Sequence, residues 1–218
     1  LAHELRTPIS NLLTETQVTL SAKRSIEDYQ DVLASNSEEL QRLARMVSDM
    51  LFLAKTEHGL ALPSRENIAV EAEARALFDF YEALASDKEI RLELVGSGSV
   101  NGDRLMLRRA LSNLLSNALR HASTGTVVSI EIESKESVEV GVSNRGPGIS
   151  PEMLPRLFDR FFRVDKSRTH PESDGAGLGL AITRAIMAAH GGGISVSSTS
   201  GVTRFTLSFP KSESLVQE

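Results

Sequence analysis

The chain has no cysteine. Neither a disulfide frame nor a thiolate zinc site is therefore available, and a reducing, cytoplasmic setting fits. No apolar run approaches the roughly 20 residues that a bilayer span needs, and no signal-peptide pattern is present. Any membrane-spanning part of the parent protein is expected upstream of Leu1. There is no excess of positive charge: 24 Lys and Arg stand against 29 Asp and Glu, a net −5, which argues against nucleic acid as the main partner. Helix breakers are scarce at the start, with Pro8 alone and no glycine before Gly59. Even an initiator methionine is missing. The chain opens L-A-H-E-L-R-T-P-I, so a cut or processed piece that retains His3 is expected. What remains is 218 residues, 40% of them hydrophobic, enough for one large or two small domains with a real core.

Up to about Gly59 the pattern is helical. Leu1, Leu5, Ile9, Leu12 and Leu20 fall at helical spacings, and from Ile26 a seven-residue apolar repeat runs through Leu33, Leu40, Val47 and Ala54. A second seam, partly polar, runs Tyr29, Asn36, Leu43, Met50. Ser25 followed by Glu27 and Asp28 predicts the start of the second helix, because acids favour the positive helix N-terminus. The two helices form a hairpin with a turn near residues 21–25. One hairpin cannot bury a two-sided seam, whereas two can as a four-helix bundle, so a homodimer is expected.

Residues 59–67 (G-L-A-L-P-S-R-E-N) have the composition of a linker. Beyond them the pattern is mixed. Helices are expected over Val70–Ser86, Asp103–His121 and Gly179–His190. Strands are expected over Ile90–Val95, Val127–Glu133, Val138–Ser143, Ile194–Ser198 and Thr203–Phe209. The tail from Lys211 is polar and expected to be disordered.

On a helix, residues three and four apart share a face, so His3, Thr7, Ser10, Thr14 and Gln17 form a polar stripe. His3 is then either an ordinary surface histidine or a nucleophile whose tautomer and basicity are set by Glu4 beside it. Thr7, one turn on, is placed to orient a water. Asn113 and Asn117 lie four apart in N-L-L-S-N-A-L-R-H. They are either a polar helix face or a pair of amides for a hard metal ion or its waters. Arg120 and His121 follow within a turn, suited to a phosphate contact and a ring contact. In S-N-R-G-P-G-I, directly after a strand, Gly146 and Gly148 let backbone approach a ligand closely. Phe158, Phe161 and Phe162 have the spacing of core aromatics beside a site. The polar segment 164–174 carries too few apolar residues to pin itself down. Gly175, Gly177 and Gly179 then open a helix, where free N–H groups and the helix dipole favour an anion. This is neither the P-loop pattern nor the dinucleotide fingerprint. The order of the features carries more information than any one of them.

In that order the motifs resemble those of bacterial sensor histidine kinases. H-E-L-R-T-P resembles the phosphoacceptor box, N-L-L-S-N-A the N box, N-R-G-P-G-I the first glycine box, R-L-F-D-R-F-F the F box and G-A-G-L-G-L the second glycine box. The likeness covers about residues 1–210. The runs E-E-L-Q-R-L-A-R-M-V-S-D-M-L-F-L-A-K and R-F-F-R-V-D-K-S-R look most like the copper and other heavy-metal sensor kinases. The resemblance implies an α+β protein of two domains. A helical hairpin over 1–60 forms a dimeric four-helix bundle, and a linker spans 61–67. An α/β sandwich that binds ATP, of the kind shared with Hsp90 and gyrase, spans 68–210, and a disordered tail spans 211–218.

Carried over by position, the resemblance makes His3 the phosphorylated residue, Glu4 its acid–base partner and Thr7 the residue for dephosphorylation. Asn117 becomes the principal Mg²⁺ ligand, with Asn113 one turn before it. Arg120 meets phosphate, and His121 stands beside the adenine. Residues 164–174 become a lid over ATP, and Arg163 or Arg168 reaches the phosphates. The implied partners are a second copy and the receiver domain of a response regulator. The implied parent sits in a bacterial inner membrane with this part facing the cytoplasm. One position departs: where the family opens its first glycine box with Asp, this chain has Asn144. An amide oxygen still accepts from the adenine amino group, but without charge. The alternatives are a scaffold without nucleotide chemistry and an ATPase of the Hsp90 or mismatch-repair type; the H-E-L-R-T-P box separates the latter, which needs no exposed helical histidine.

Overall fold

The computed structural model describes residues 2–57, 64–164 and 177–210. The linker residues 61–63, most of the lid segment, including Arg168 and Gly175, and the tail from Lys211 lie outside the described residues.

Helix α1 (Ala2–Leu20) runs through Pro8, and α2 (Ile26–Glu57) returns antiparallel to it. The turn falls where the acids predict it. Ser25 and Asp28 form a reciprocal cap, each side-chain oxygen accepting the other's backbone N–H at 3.0 Å. The two seams of α2 separate. Tyr29, Asn36, Leu43 and Met50 are half-buried, whereas Ile26, Leu33, Leu40 and Val47 are exposed at 44–73%. Ile9, Leu13 and Val18 of α1 are exposed too. The single hairpin thus covers one seam and leaves the other open.

The second region is a two-layer sandwich. Strand β1 (Glu66–Ala69) precedes helix α3 (Val70–Asp87), strands β2 (Arg91–Gly96) and β3 (Ser99–Gly102), and helix α4 (Arg104–His121). Strands β4 (Val127–Ser134) and β5 (Ser137–Arg145) follow. A 3-10 turn (Leu154–Arg156), helix α5 (Gly179–Ala189) and strands β6 (Gly193–Thr199) and β7 (Val202–Pro210) complete it. The main sheet has the order β2-β4-β5-β7-β6, with β2 parallel to β4 and every other pair antiparallel. Alternation sends Val128, Ile130 and Ile132, Val140 and Val142, and Phe205, Leu207 and Phe209 to one face. There they meet Leu107, Leu111, Leu114 and Leu115 of α4 and Ile182 and Ile186 of α5, all buried to within 1%.

Two strands are additions to the sequence expectation. β1 and β3 pair antiparallel, Glu66 opposite Gly102, so Glu66 and Asn67 belong to the domain and not to the linker expected over 61–67. Strands of four residues carry too little alternation to be read, and their order comes from pairing. Asp103 caps α4 by accepting from Met106 N–H at 2.9 Å, and its own N–H donates to Nε2 of buried His190 at 3.1 Å. Glu73 of α3, only 3% exposed, is held by Arg104 at 3.3 Å and Arg108 at 2.7 Å of α4.

The regions touch through α2. Met46 and Leu53 are buried (5% and 4%) in the same apolar cluster as the sandwich core. Asp49 pairs with Arg109 of α4, whose guanidinium lies 4.6 Å from the centre of the Phe52 ring. Among the described residues no helix is long and apolar enough to cross a membrane.

Candidate active site

The site grows out of a break in the sheet's alternation. Along β5, Val138, Val140, Val142 and Asn144 share the core-facing register; along β7, Thr203, Phe205, Leu207 and Phe209 do. Asn144 and Thr203 are register partners, so two polar residues sit side by side where apolar ones are expected. Asn144 is 4% exposed, and among the described residues its amide makes no hydrogen bond. Its polar atoms are not sealed from solvent, since the buried side-chain atoms without a partner among the described residues are Asn36 Oδ1 and Arg42 Nε, and they stay available to a ligand.

The glycines around this amide serve close approach. Gly146 donates its N–H to Gly201 O at 2.8 Å, and a Cβ at Gly146 would lie 2.2 Å from the carbonyl oxygen of His121. Any side chain there would push the strand end off the end of α4. Gly148 follows in the left-handed region, φ 76°. Ile149 donates its N–H to Ser198 Oγ at 2.9 Å, and Ser198 shares a 3.0 Å bond with Thr203. The turn between β5 and the 3-10 helix is thereby fastened to β6 and β7.

Helix α4 forms the next wall. Its buried face is Met106, Leu107, Ala110, Leu111, Leu114, Leu115, Ala118 and Leu119, which leaves Asn113 and Asn117 together on a half-buried stripe. Asn117 makes no side-chain hydrogen bond among the described residues. Asn113 donates its amide N–H to Gly179 O at 3.0 Å and to Thr183 Oγ1 at 3.4 Å. Arg120 and His121 occupy the last turn of α4, both exposed.

The second glycine turn begins α5. Gly177 has φ 68°, and a Cβ there would lie 2.9 Å from the Phe161 backbone. Phe161, itself at φ 64°, donates its N–H to Gly177 O at 2.9 Å, which joins the end of the F-F run to the start of the second glycine turn. Gly179 is the first residue of α5, where backbone N–H groups lack helical partners and suit an anion. Phe158, Phe161 and Phe162 are half-buried against the core, as their spacing predicts, with Phe158 edge-on to Phe205 at 6.4 Å. Arg163 is exposed at the start of the lid segment.

Amide oxygens are hard donors, so Asn117, with Asn113 beside it, fits a Mg²⁺ ion that arrives with phosphates and keeps its waters. No group of three or more His, Cys, Asp or Glu that could hold a metal occurs among the described residues. His3 and Glu4 lie in the first turn of α1, and Thr7, one turn on, is exposed. Leu5 packs against the shared apolar cluster together with Met50 and Phe52 of α2. The first turns of α1 therefore stand at the level where α2 meets the sandwich.

Sequence reasoning did not single out Ser198, Gly201, Thr203 or Thr183. Thr203 had a signal, a polar residue in the inward register of a strand. The others had none, because what they do is hold another segment.

Two family profiles match the chain. A profile described as histidine kinase-, DNA gyrase B-, and HSP90-like ATPase matches residues 102–213, and one described as His Kinase A (phospho-acceptor) domain matches residues 1–59. The sensor histidine kinase CusS of Escherichia coli K12 is 50% identical over 212 residues, 96% of this chain and 44% of that protein. The structure of Acinetobacter baumannii histidine kinase AdeS superposes with a TM-score of 0.79 at 26% identity, covering 97% of this chain and 98% of that one. Full-length ShkA, solved in complex with AMPPNP, gives a TM-score of 0.72 at 27% identity over 95% of this chain and 44% of that one. The chain spans less than half the length of the curated relatives it matches.

Proposed function

We propose a function from one premise: this chain belongs to the histidine kinase-, DNA gyrase B- and HSP90-like ATPase family, and is the catalytic core of a bacterial sensor histidine kinase. Its reaction is autophosphorylation of His3 from ATP, followed by transfer to an aspartate in the receiver domain of a response regulator. The observation that carries this is a phospho-acceptor helix joined in one chain to a nucleotide fold in which Asn144, a residue only 4% exposed in the inward register of β5, makes no side-chain hydrogen bond among the described residues.

Asn144 pairs with the adenine edge, and His121 packs beside the ring. Gly146 and Gly148 let the backbone close on the nucleotide. The N–H groups at the start of α5, reached through Gly175, Gly177 and Gly179, receive the phosphates. Arg120, with Arg163 or Arg168, adds positive charge there. Asn117, with Asn113, would hold Mg²⁺, which would neutralise charge on the phosphates. The His3 imidazole attacks the γ-phosphorus in line. A nitrogen–phosphorus bond forms as the bond to the ADP oxygen breaks, and Glu4 takes the ring proton. The receiver carboxylate then attacks the phosphohistidine. Thr7 orients the water that later hydrolyses the aspartyl phosphate.

The open seam of Ile26, Leu33, Leu40 and Val47 supports a homodimer whose hairpins make a four-helix bundle. We place the hairpin domain over 1–60 and the ATP-binding domain over 68–210, with its first strand reaching back to Glu66. Sensor and membrane segments belong to the remainder of the parent, set in an inner membrane with this core on the cytoplasmic side. The signal class is copper or another heavy metal, as the F-box run implies.

Labelled ATP tests this directly. The label should enter the chain and be released by acid, since phosphohistidine is acid-labile. ATP hydrolysis without incorporation would make the protein an ATPase of the Hsp90 type, and no nucleotide binding at all would make it a scaffold.

A further inference from the structure

Asn113 offers a ligand only half of its amide. Its Nδ2 lies 3.0 Å from Gly179 O. A carbonyl oxygen only accepts, so the atom facing it must be the N–H₂, and the amide cannot turn over without setting oxygen against oxygen. Thr183 completes the arrangement. Its side chain is fully buried, and its hydroxyl donates to Gly179 O at 2.9 Å. With its one proton committed, Oγ1 is left to accept from Asn113 Nδ2, at 3.4 Å. Both partners thus demand the same orientation, and the carbonyl they share belongs to the first residue of α5. The threonine has no packing reason to be there. Its neighbours on the buried face of α5 are Ala181, Ile182, Ile186 and Met187, and valine has the same shape.

We propose that Thr183 is a positioning residue for the metal–triphosphate group: it locks the Asn113 amide so that the oxygen is what Asn113 presents, and it ties the glycine turn of α5 to α4. This rests on the reading of Asn113 and Asn117 as the Mg²⁺ face. An amide free to turn would present N–H for part of the time, which repels a cation.

The test compares wild type, Thr183→Val and Thr183→Ser. The first measurement is ATP affinity with Mg²⁺ and with EDTA. The second is the NMR signal of the Asn113 side-chain N–H₂ in the nucleotide-free protein. Losing a hydrogen bond of this kind should reduce the Mg²⁺-dependent gain in ATP affinity by roughly two- to tenfold in Thr183→Val. Affinity in EDTA should fall by less than affinity with Mg²⁺, the Asn113 signal should shift and exchange faster, and Thr183→Ser should restore both. A Thr183→Val protein with an unaltered Mg²⁺ gain overturns the proposal, as does a Thr183→Ser protein that does not recover. If wild type itself shows no Mg²⁺ gain, the reading of the amide face falls, and the proposal with it. A Mg²⁺ gain lost only in Thr183→Val upholds both.

Discussion

The two regions of this chain solve burial differently. Among the described residues, nine of the fourteen large hydrophobics left exposed belong to the hairpin: Ile9, Leu13, Val18, Leu20, Ile26, Leu33, Leu40, Val47 and Leu51. The hairpin's two buried hydrophobics, Met46 and Leu53, are buried in the cluster that forms the sandwich core. The sandwich builds most of that core from its own strands and helices, and it sets two buried polar residues, Asn144 and Thr203, side by side as register partners. One region encloses most of what it buries, and the other leaves most of its apolar surface open. The proposed function uses both, because a phosphate acceptor must be reachable and a nucleotide donor must be enclosed.

The sharpest division should come from His3→Gln. Phosphate incorporation should vanish, while ATP affinity, measured by calorimetry, stays that of wild type, since His3 and the glycine turns lie in different regions. Acid-labile label remaining in the variant would point to another acceptor. Next in size is a pair of leucines. Leu115→Ala empties a fully buried site in the sandwich and should cost about 2–5 kcal/mol of unfolding free energy. Leu33, 68% exposed, should cost the isolated chain little as Leu33→Ala and instead raise the dimer dissociation constant, read by analytical ultracentrifugation. Equal losses in unfolding free energy would erase the contrast.

Asn144→Asp comes third. A hydrogen bond involving a charged group is worth about 1 kcal/mol more than a neutral one, roughly fivefold in affinity. The variant should bind ATP that much more tightly and GTP more weakly, because a carboxylate repels the guanine oxygen while an amide can turn to meet it. An unchanged ratio of ATP to GTP affinities would remove Asn144 from base reading.

The smallest effect is in acid, and it has opposite signs in the two regions. Burial against the sandwich raises the Asp49 carboxyl above its ordinary 3.8, with Arg109 pulling the other way. The docked state therefore takes up that proton more readily than the unfolded chain, and docking gains as pH falls through the raised value. Asp103 is lowered: burial pushes it up, but hydrogen bonds from Met106, Ser64 and Leu105 outweigh that. Its stabilisation is present above 3.8 and is lost as pH falls through the lower folded value. A capping interaction of this type is worth about 1 kcal/mol. Melting temperatures taken at falling pH should show the acid loss below 3.8 in wild type and not in Asp103→Asn, and the gain that sets in above 3.8 should be absent from Asp49→Asn.

Local pattern determined a good deal by itself. Seven-residue periodicity gave the long α2, and the acids after Ser25 marked its start. Strict alternation gave β4, β5 and β7, and glycines at strand and helix ends marked both turns, because these features are set by residues a few positions apart. The five motifs in order gave the family. The short pair β1–β3 was beyond reach, since its two strands are stabilised only by each other across about thirty residues. So was which α2 seam faces outward, because both seams have the same period and only the packing of α1 chooses. The sequence placed Asn113 on the right helix face, but it could not say that the N–H₂ is taken by α5. That depends on Gly179 O and Thr183, whose positions relative to α4 exist only after the helices have packed. Chemistry that depends on residue type and near spacing was legible. Orientation was not, because it depends on partners that tertiary folding supplies.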